Sequence, residues 1–105
     1  MILSIKPSPL KTKRFRAQVL LEDGKEKSID FGFKSGLRFG LTYIDGASKQ
    51  AREAYWNRHT ANPVEARLIA GLVLSPATLS AYILWGEHRF VEDNRIALNR
   101  MLKSK

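Results

Sequence analysis

Arg52, Trp56 and His59 follow one another at i, i+4 and i+7, with Lys49, Tyr55 and Arg58 beside them. On a helix this spacing gathers them along one side. Cations interleaved with aromatic rings are the residue types that hold a phosphate backbone and stack a base, or that meet an acidic protein surface. The same residues also carry a plainer reading. In it Trp56 and Tyr55 are core, Arg52 pairs with a carboxylate, and His59 sits at the electronegative end of its helix. A second cationic set comprises Arg14, Arg16 and Lys27, continued by Lys11 and Lys13. There strand alternation places Arg14 and Arg16 on an outer face, either as a binding surface or as charge that guards the sheet against edge-to-edge aggregation.

Other chemistries find little support. His59 and His88 fall in different predicted elements, and no His-x-x-x-His, nucleophile elbow or acidic pair at motif spacing occurs. Gly32, Gly36, Gly40 and Gly46 punctuate the middle of the chain without the Gly-Lys-Ser/Thr ending of a phosphate loop or the fingerprint of a dinucleotide site. The chain contains no cysteine, which excludes disulfides, thiolate zinc sites and thiol nucleophiles. The expectation is a protein that is not an enzyme and holds neither metal nor cofactor.

Eighteen Lys and Arg against ten Asp and Glu leave a net charge of +8 over 105 residues. That length supplies one domain, and the excess charge favours polyanionic or acidic partners. Residues 1–12, with Pro7 and Pro9, read as an arm that stays mobile or docks by its first apolar residues, and residues 13–105 as a single α+β domain. The apolar run of the opening residues is too short for a signal peptide, so Met1 is expected to be the mature start.

Phe15, Ala17 and Val19 alternate with Arg14, Arg16 and Gln18, and Ile29, Phe31 and Phe33 repeat the pattern after the turn at Asp23-Gly24. This predicts a short antiparallel β-hairpin, extended to a three-stranded meander if Leu41–Ile44 adds a strand. About four short helices follow. The first spans residues 47–59 behind Asp45 or Ser48; the second runs from Pro63, capped by Asn62, to about Leu74; the third from Pro76, capped by Ser75, to Trp85, stopped by Gly86; the last from Phe90 to Lys103. The inner side of the last helix is expected to hold Val91, Ile96, Ala97, Met101 and Leu102. The core is expected from Phe15, Val19, Ile29, Phe31, Tyr55, Leu68, Leu72, Leu79, Ile83 and Trp85. Leu68–Gly86 carries no charge and approaches the length of a bilayer span. Ser75-Pro76 cuts it into two pieces too short to cross alone, which favours a buried helix pair over membrane association.

Several separated residues resemble a small uncharacterised domain family of large DNA viruses and some phages. They are Phe31-Gly32, Asp45, Arg52, Tyr55, Arg58-His59, Ser80, Leu84-Trp85 and Asn94, with Arg-x-x-Tyr-x-x-Arg-His as the most specific part. The resemblance departs from its pattern at Trp56 and in the apolar segment Pro63–Leu74. It implies a viral or phage origin without an assigned activity. A basic, cysteine-free viral chain with no catalytic constellation is then expected to be a virion component: a minor capsid or cement-like protein touching capsid or other virion proteins. The alternative is a protein contacting packaged DNA or RNA through Arg14, Arg16, Lys49, Arg52, Trp56, Arg58 and His59. Membrane association through residues 68–86 is the third reading. The implied location is the virion, and the host cytoplasm or nucleus during assembly.

Overall fold

Alternation in Lys13–Leu20 (β2) and Glu26–Phe33 (β3) builds the antiparallel hairpin at the centre of the computed structural model, which describes residues 1–35 and 37–105. Phe15 pairs with Phe31, Ala17 with Ile29 and Val19 with Lys27. The turn at Gly24 uses a positive φ of 84°, which glycine adopts without a steric cost.

Of the two expectations for residues 1–12, the arm docks by its first apolar residues, and it does so as a third strand, which the sequence reading did not include. Ile2–Pro7 (β1) pairs antiparallel with β2, placing Ile5 opposite Ala17 and Pro7 opposite Phe15, and gives the sheet the order β1-β2-β3. Two prolines weaken the strand signal in the sequence, yet both are accommodated, since Pro7 ends an edge strand and Pro9 lies beyond it. Ile2 is fully buried, and its N–H and C=O are bonded by the side chain of Asn99, with Asn99 Oδ1 2.7 Å from the amide and Nδ2 2.9 Å from the carbonyl. Asn99 thereby takes the place of a further strand at this end of the sheet edge. Residues 41–44 make no strand; Tyr43–Asp45 forms a single 3₁₀ turn.

Four short helices layered on the sheet complete an α+β architecture. Lys49–Thr60 (α1) begins at Ser48, whose hydroxyl accepts from the Ala51 N–H. Pro63–Ala70 (α2) is capped by Asn62. Pro76–Leu79 (α3) is capped by Ser75 and passes directly into a π-helical turn, Ser80–Leu84. Val91–Lys103 (α4) closes the fold. The α3 and π-turn segment lies against β3, α4 lies against β1, and α1 and α2 pack together behind α3.

The main core joins Ile2, Val19, Ile29 and Phe31 of the sheet to Leu79, Ile83, Leu84 and Leu98. A smaller cluster of Tyr55, Ile69 and Ala81 lies between α1, α2 and the π turn. Leu68–Gly86 thus folds back as α2, a turn and α3; among the described residues no helix is long and apolar enough to cross a membrane.

Several packing expectations are corrected. Phe33 is 72% exposed, because Gly32 at φ +82° interrupts the pleat that would have turned it inward. Helix α2 stops at Ala70 rather than Leu74, since Gly71 and Leu72 leave the helical path and the Val73 N–H closes the end on the Leu68 carbonyl. Leu72 occupies the left-handed region at φ 52°, a conformation that costs a branched residue about 1–2 kcal/mol. In α4 the inward stripe is Val91, Asn94, Leu98 and Leu102, while Ile96 and Met101 are exposed. Phe15, Leu68, Leu72 and Trp85 are half-buried at the margins of the core. Gly36 lies outside the described residues.

Gly86 is the most constrained backbone position. A Cβ there would stand 2.1 Å from the Tyr82 carbonyl oxygen and 2.7 Å from Asn94 Oδ1. Gly86→Ala is expected to lower stability by about 3 kcal/mol, through overpacking and disruption of the buried Asn94 bonds. Gly40→Ala, where nothing lies within 4 Å of the added atom, is expected to change it little. Urea denaturation midpoints of the two variants provide the comparison.

Candidate functional site

The side of α1 singled out by sequence meets the chain where the π turn ends. Arg52 Nε donates to the carbonyls of both Trp85 and Gly86 at 3.0 Å, and Trp56 Nε1 donates to the Trp85 carbonyl at 2.8 Å. A helix end leaves carbonyls without intrahelical partners, and these two side chains supply the missing donors. Asn94 performs the matching task from the other side. Its Nδ2 donates to the Ile83 and His88 carbonyls, and its Oδ1 accepts from the His88 N–H at 3.0 Å. Asn94 is 1% exposed, so losing these bonds would strand several buried polar groups.

Aromatic rings continue the arrangement. Tyr55 stacks on Trp85 with ring centroids 4.7 Å apart and planes 8° from parallel, and His59 lies 4.1 Å from Tyr55 on α1. His59 Nδ1 is 2.7 Å from Glu65 Oε2, which ties α1 to the first turn of α2. Burial, reinforced by the nearby Glu65 carboxylate, pushes the Tyr55 hydroxyl up to about 12.

The cations predicted on the outer face of the hairpin are separated by the fold. Arg14 is drawn away to the 3₁₀ turn and makes a two-pronged pair with Asp45, at 2.7 and 2.5 Å. Asp45 also accepts from the Thr42 N–H and hydroxyl. Burial raises the Asp45 carboxyl, but the bonds from Arg14 and Thr42 outweigh it and hold the group below the ordinary aspartate range. Gly32 allows this geometry, because a Cβ there would stand 3.1 Å from Arg14 Cβ and 3.2 Å from Leu84 Cδ1. Arg16 stays on the open face but pairs with Asp30, which also accepts from the Ser8 hydroxyl. The Arg16 hydrogen bond is the main reason the Asp30 carboxyl is held low. Beside them Ser28 donates to Gln18. The open sheet face is therefore largely self-compensated.

Of the seven residues proposed for contact with a polyanion, Arg14, Arg16, Arg52, Trp56 and His59 are committed to internal partners. Lys49 and Arg58 are exposed on α1 and have no acidic partner among the described residues. Arg52 and Trp56 also line a groove of about 790 Å³ between α1 and α4, whose lining includes His88 and, at its edge, Arg100 together with Glu53 and Glu87. Its cations and carboxylates are balanced, so it has no strong preference for an anion. Among the described residues no group of three or more His, Asp or Glu is placed to hold a metal ion. What the arrangement does chemically is donate hydrogen bonds to otherwise unpaired carbonyls. Sequence reasoning did not find Arg89, whose Nη1 donates to the Tyr43 and Ala47 carbonyls while its guanidinium lies 4.0 Å from the centre of the Tyr43 ring. No local signal marks it, since its acceptors are more than forty positions away. Asn94 did carry a signal, a polar residue three positions after Val91 and four before Leu98 on the buried stripe.

The chain matches DUF5754, a family of unknown function, over residues 3–59, more than half its length, and belongs to that family. The matched segment spans the sheet, the 3₁₀ turn and nearly all of α1. No curated protein and no solved structure matches the chain.

Two pH effects follow from these environments. Asp45 and Asp30 are held low, so their contribution is present above the unfolded aspartate value near 3.8 and is lost as pH falls through their folded values. Asp45→Asn is expected to be less stable than wild type at neutral pH, with the gap narrowing below about pH 4 in denaturant titrations. Tyr55 is raised, so its contribution is complete below pH 10 and is lost as pH rises from 10 through about 12. That shift amounts to at most about 3 kcal/mol. The Tyr55 hydroxyl makes no hydrogen bond among the described residues, so Tyr55→Phe is expected to fold normally and to lose this alkaline transition, read by circular dichroism against pH.

Proposed function

We propose that this member of DUF5754 is a non-enzymatic structural protein of a virus particle, a minor capsid or cement-like component that acts by protein–protein contact. The observation that carries the reading is a run of exposed apolar side chains at the end of β3 and in the segment that follows it. Leu37 is 96% exposed, Phe33 72% and Leu41 66%, and Phe39 stands beside them. Four large apolar side chains exposed within nine residues of chain support a contact surface, since a monomer in water gains nothing by displaying them. The surface is anchored: the Arg14 guanidinium lies 3.8 Å from the centre of the Phe39 ring while its other contacts fix it to Asp45. A cation held between a ring and a carboxylate gives the surface a defined shape before any partner arrives. The viral setting is supported by the resemblance of Phe31-Gly32, Arg52, Tyr55, Arg58-His59 and Leu84-Trp85 to the viral domain family. In that setting the partners are capsid or other virion proteins, and the protein travels through the host cytoplasm or nucleus to the virion.

A second reading, contact with packaged nucleic acid, is favoured by the free cations Lys49 and Arg58 on α1. It is the weaker of the two because the other five residues proposed for it are bonded within the chain.

The protein is expected to co-sediment with purified particles, and Leu37→Asp with Leu41→Asp is expected to abolish co-sedimentation while leaving the melting temperature within a few degrees of wild type. Failure of the unmodified protein to appear in particles would overturn the proposal. Anisotropy titrations with labelled DNA test the second reading: weak binding, unchanged by Lys49→Gln with Arg58→Gln, is expected. Tight binding with a steep negative salt dependence that those substitutions reduce would establish nucleic-acid contact instead.

A further inference from the structure

At the opposite end of the sheet from Phe33 and Phe39, a groove of about 800 Å³ opens between the end of β2, the turn after α2 and the flank of α4. Its walls are apolar: Leu20 and Leu21 on one side, Leu72 and Val73 at the end, and Ile96 on α4. Leu20, Leu21, Val73 and Ile96 are each more than a third exposed. Leu72 is held at a positive φ that glycine would adopt freely, and its side chain packs against the main core at the groove's edge. The rim is cationic. Arg100, Lys103 and Lys105 line it, and the opposing carboxylate is Glu22. None of these three cations makes an ion pair among the described residues.

We infer that this groove is a second docking surface, and that its occupant is an acidic amphipathic helix of a partner protein. The inference rests on the reading that the protein works by contact, and it names the partner's chemistry at a separate site. Three observations select that occupant. Ile96, Arg100 and Lys103 stand at i, i+4 and i+7 on α4, a straight stripe along which a second helix can lie with its apolar face inward and its carboxylates on the cations. The apolar residues line a concavity, whereas a flat bilayer is met by protruding ones. A second copy of this chain would bring another net charge of +8 to an already cationic rim, so self-association is opposed by repulsion. Because the groove and Phe33 sit at opposite ends of the β2–β3 hairpin, a protein occupied at both would join two neighbours, as a cement must.

The probe is a synthetic amphipathic helix of about three heptads with leucines on one face and glutamates flanking them, titrated against the full chain by fluorescence anisotropy. Binding is expected, weakened at least tenfold by Arg100→Glu with Lys103→Glu and lost with Ile96→Asp, all exposed positions that leave the fold intact by circular dichroism. A peptide with lysine in place of glutamate is expected to bind at least tenfold less tightly. Absence of binding, equal binding of the two peptides, or insensitivity to the α4 substitutions would overturn the inference. So would binding to vesicles of mixed neutral and anionic phospholipid that the same substitutions abolish, without binding of the peptide. Leu37→Asp with Leu41→Asp is expected to leave peptide binding unchanged, so failure at this groove and failure of the particle contact are read separately.

Discussion

The carbonyl oxygen of Trp85 accepts from Arg52 and from Trp56, in a place where the backbone leaves a π turn and has no amide of its own to offer. Much of the helical half is organised around that junction. Asn94 bonds the carbonyls on either side of it, Tyr55 stacks on the Trp85 ring, and Gly86 supplies the bare backbone that allows Asn94 to approach. Unpaired carbonyls in a low-dielectric interior are costly, so each of these donors stabilises more by preventing a penalty than by the bond it forms. The residues of α1 that look most like a binding face are therefore the ones the fold requires.

The two kinds of cation divide the work. Arg14, Arg16, Arg52, Arg89 and Arg95 bond carboxylates or backbone carbonyls within the chain. No lysine side chain makes such a bond among the described residues. A planar guanidinium can serve two acceptors and a ring at once, as Arg14 does with Asp45 and Phe39, whereas an ammonium is a hydrated point charge that stays at the surface. The net positive charge is thus carried outward mainly by lysines and by Arg38, Arg58, Arg67 and Arg100. Charge placed this way raises the positive potential of the surface while the internal acceptors are served by arginines.

Positions that carried the family resemblance converge in space. Phe31 is core, Gly32 lets the stem of Arg14 and the side chain of Leu84 come together, Asp45 receives Arg14, and Arg52, Tyr55 and Asn94 gather at Leu84-Trp85. The Ser80 carbonyl accepts from the Trp85 N–H and so closes the π turn. These positions serve the folding scaffold, through core packing, close backbone approach and internal hydrogen bonds.

Local rules made much of this legible from the sequence alone. Period-two alternation marked β2 and β3, Asp-Gly marked their turn, and the Asn62-Pro63 and Ser75-Pro76 steps marked the starts of α2 and α3, because alternation, caps and N1 prolines act over a few neighbouring residues. Where a long side chain finds its acceptor is another matter. The inward phase of α4 turns on a buried asparagine, the pairing of β1 turns on Asn99 as well as on β2, and the allegiance of Arg14 and Arg52 turns on acceptors about thirty positions away. Those choices were decided by the tertiary structure, since a hydrogen bond is selected by distance in space and a sequence records distance only along the chain.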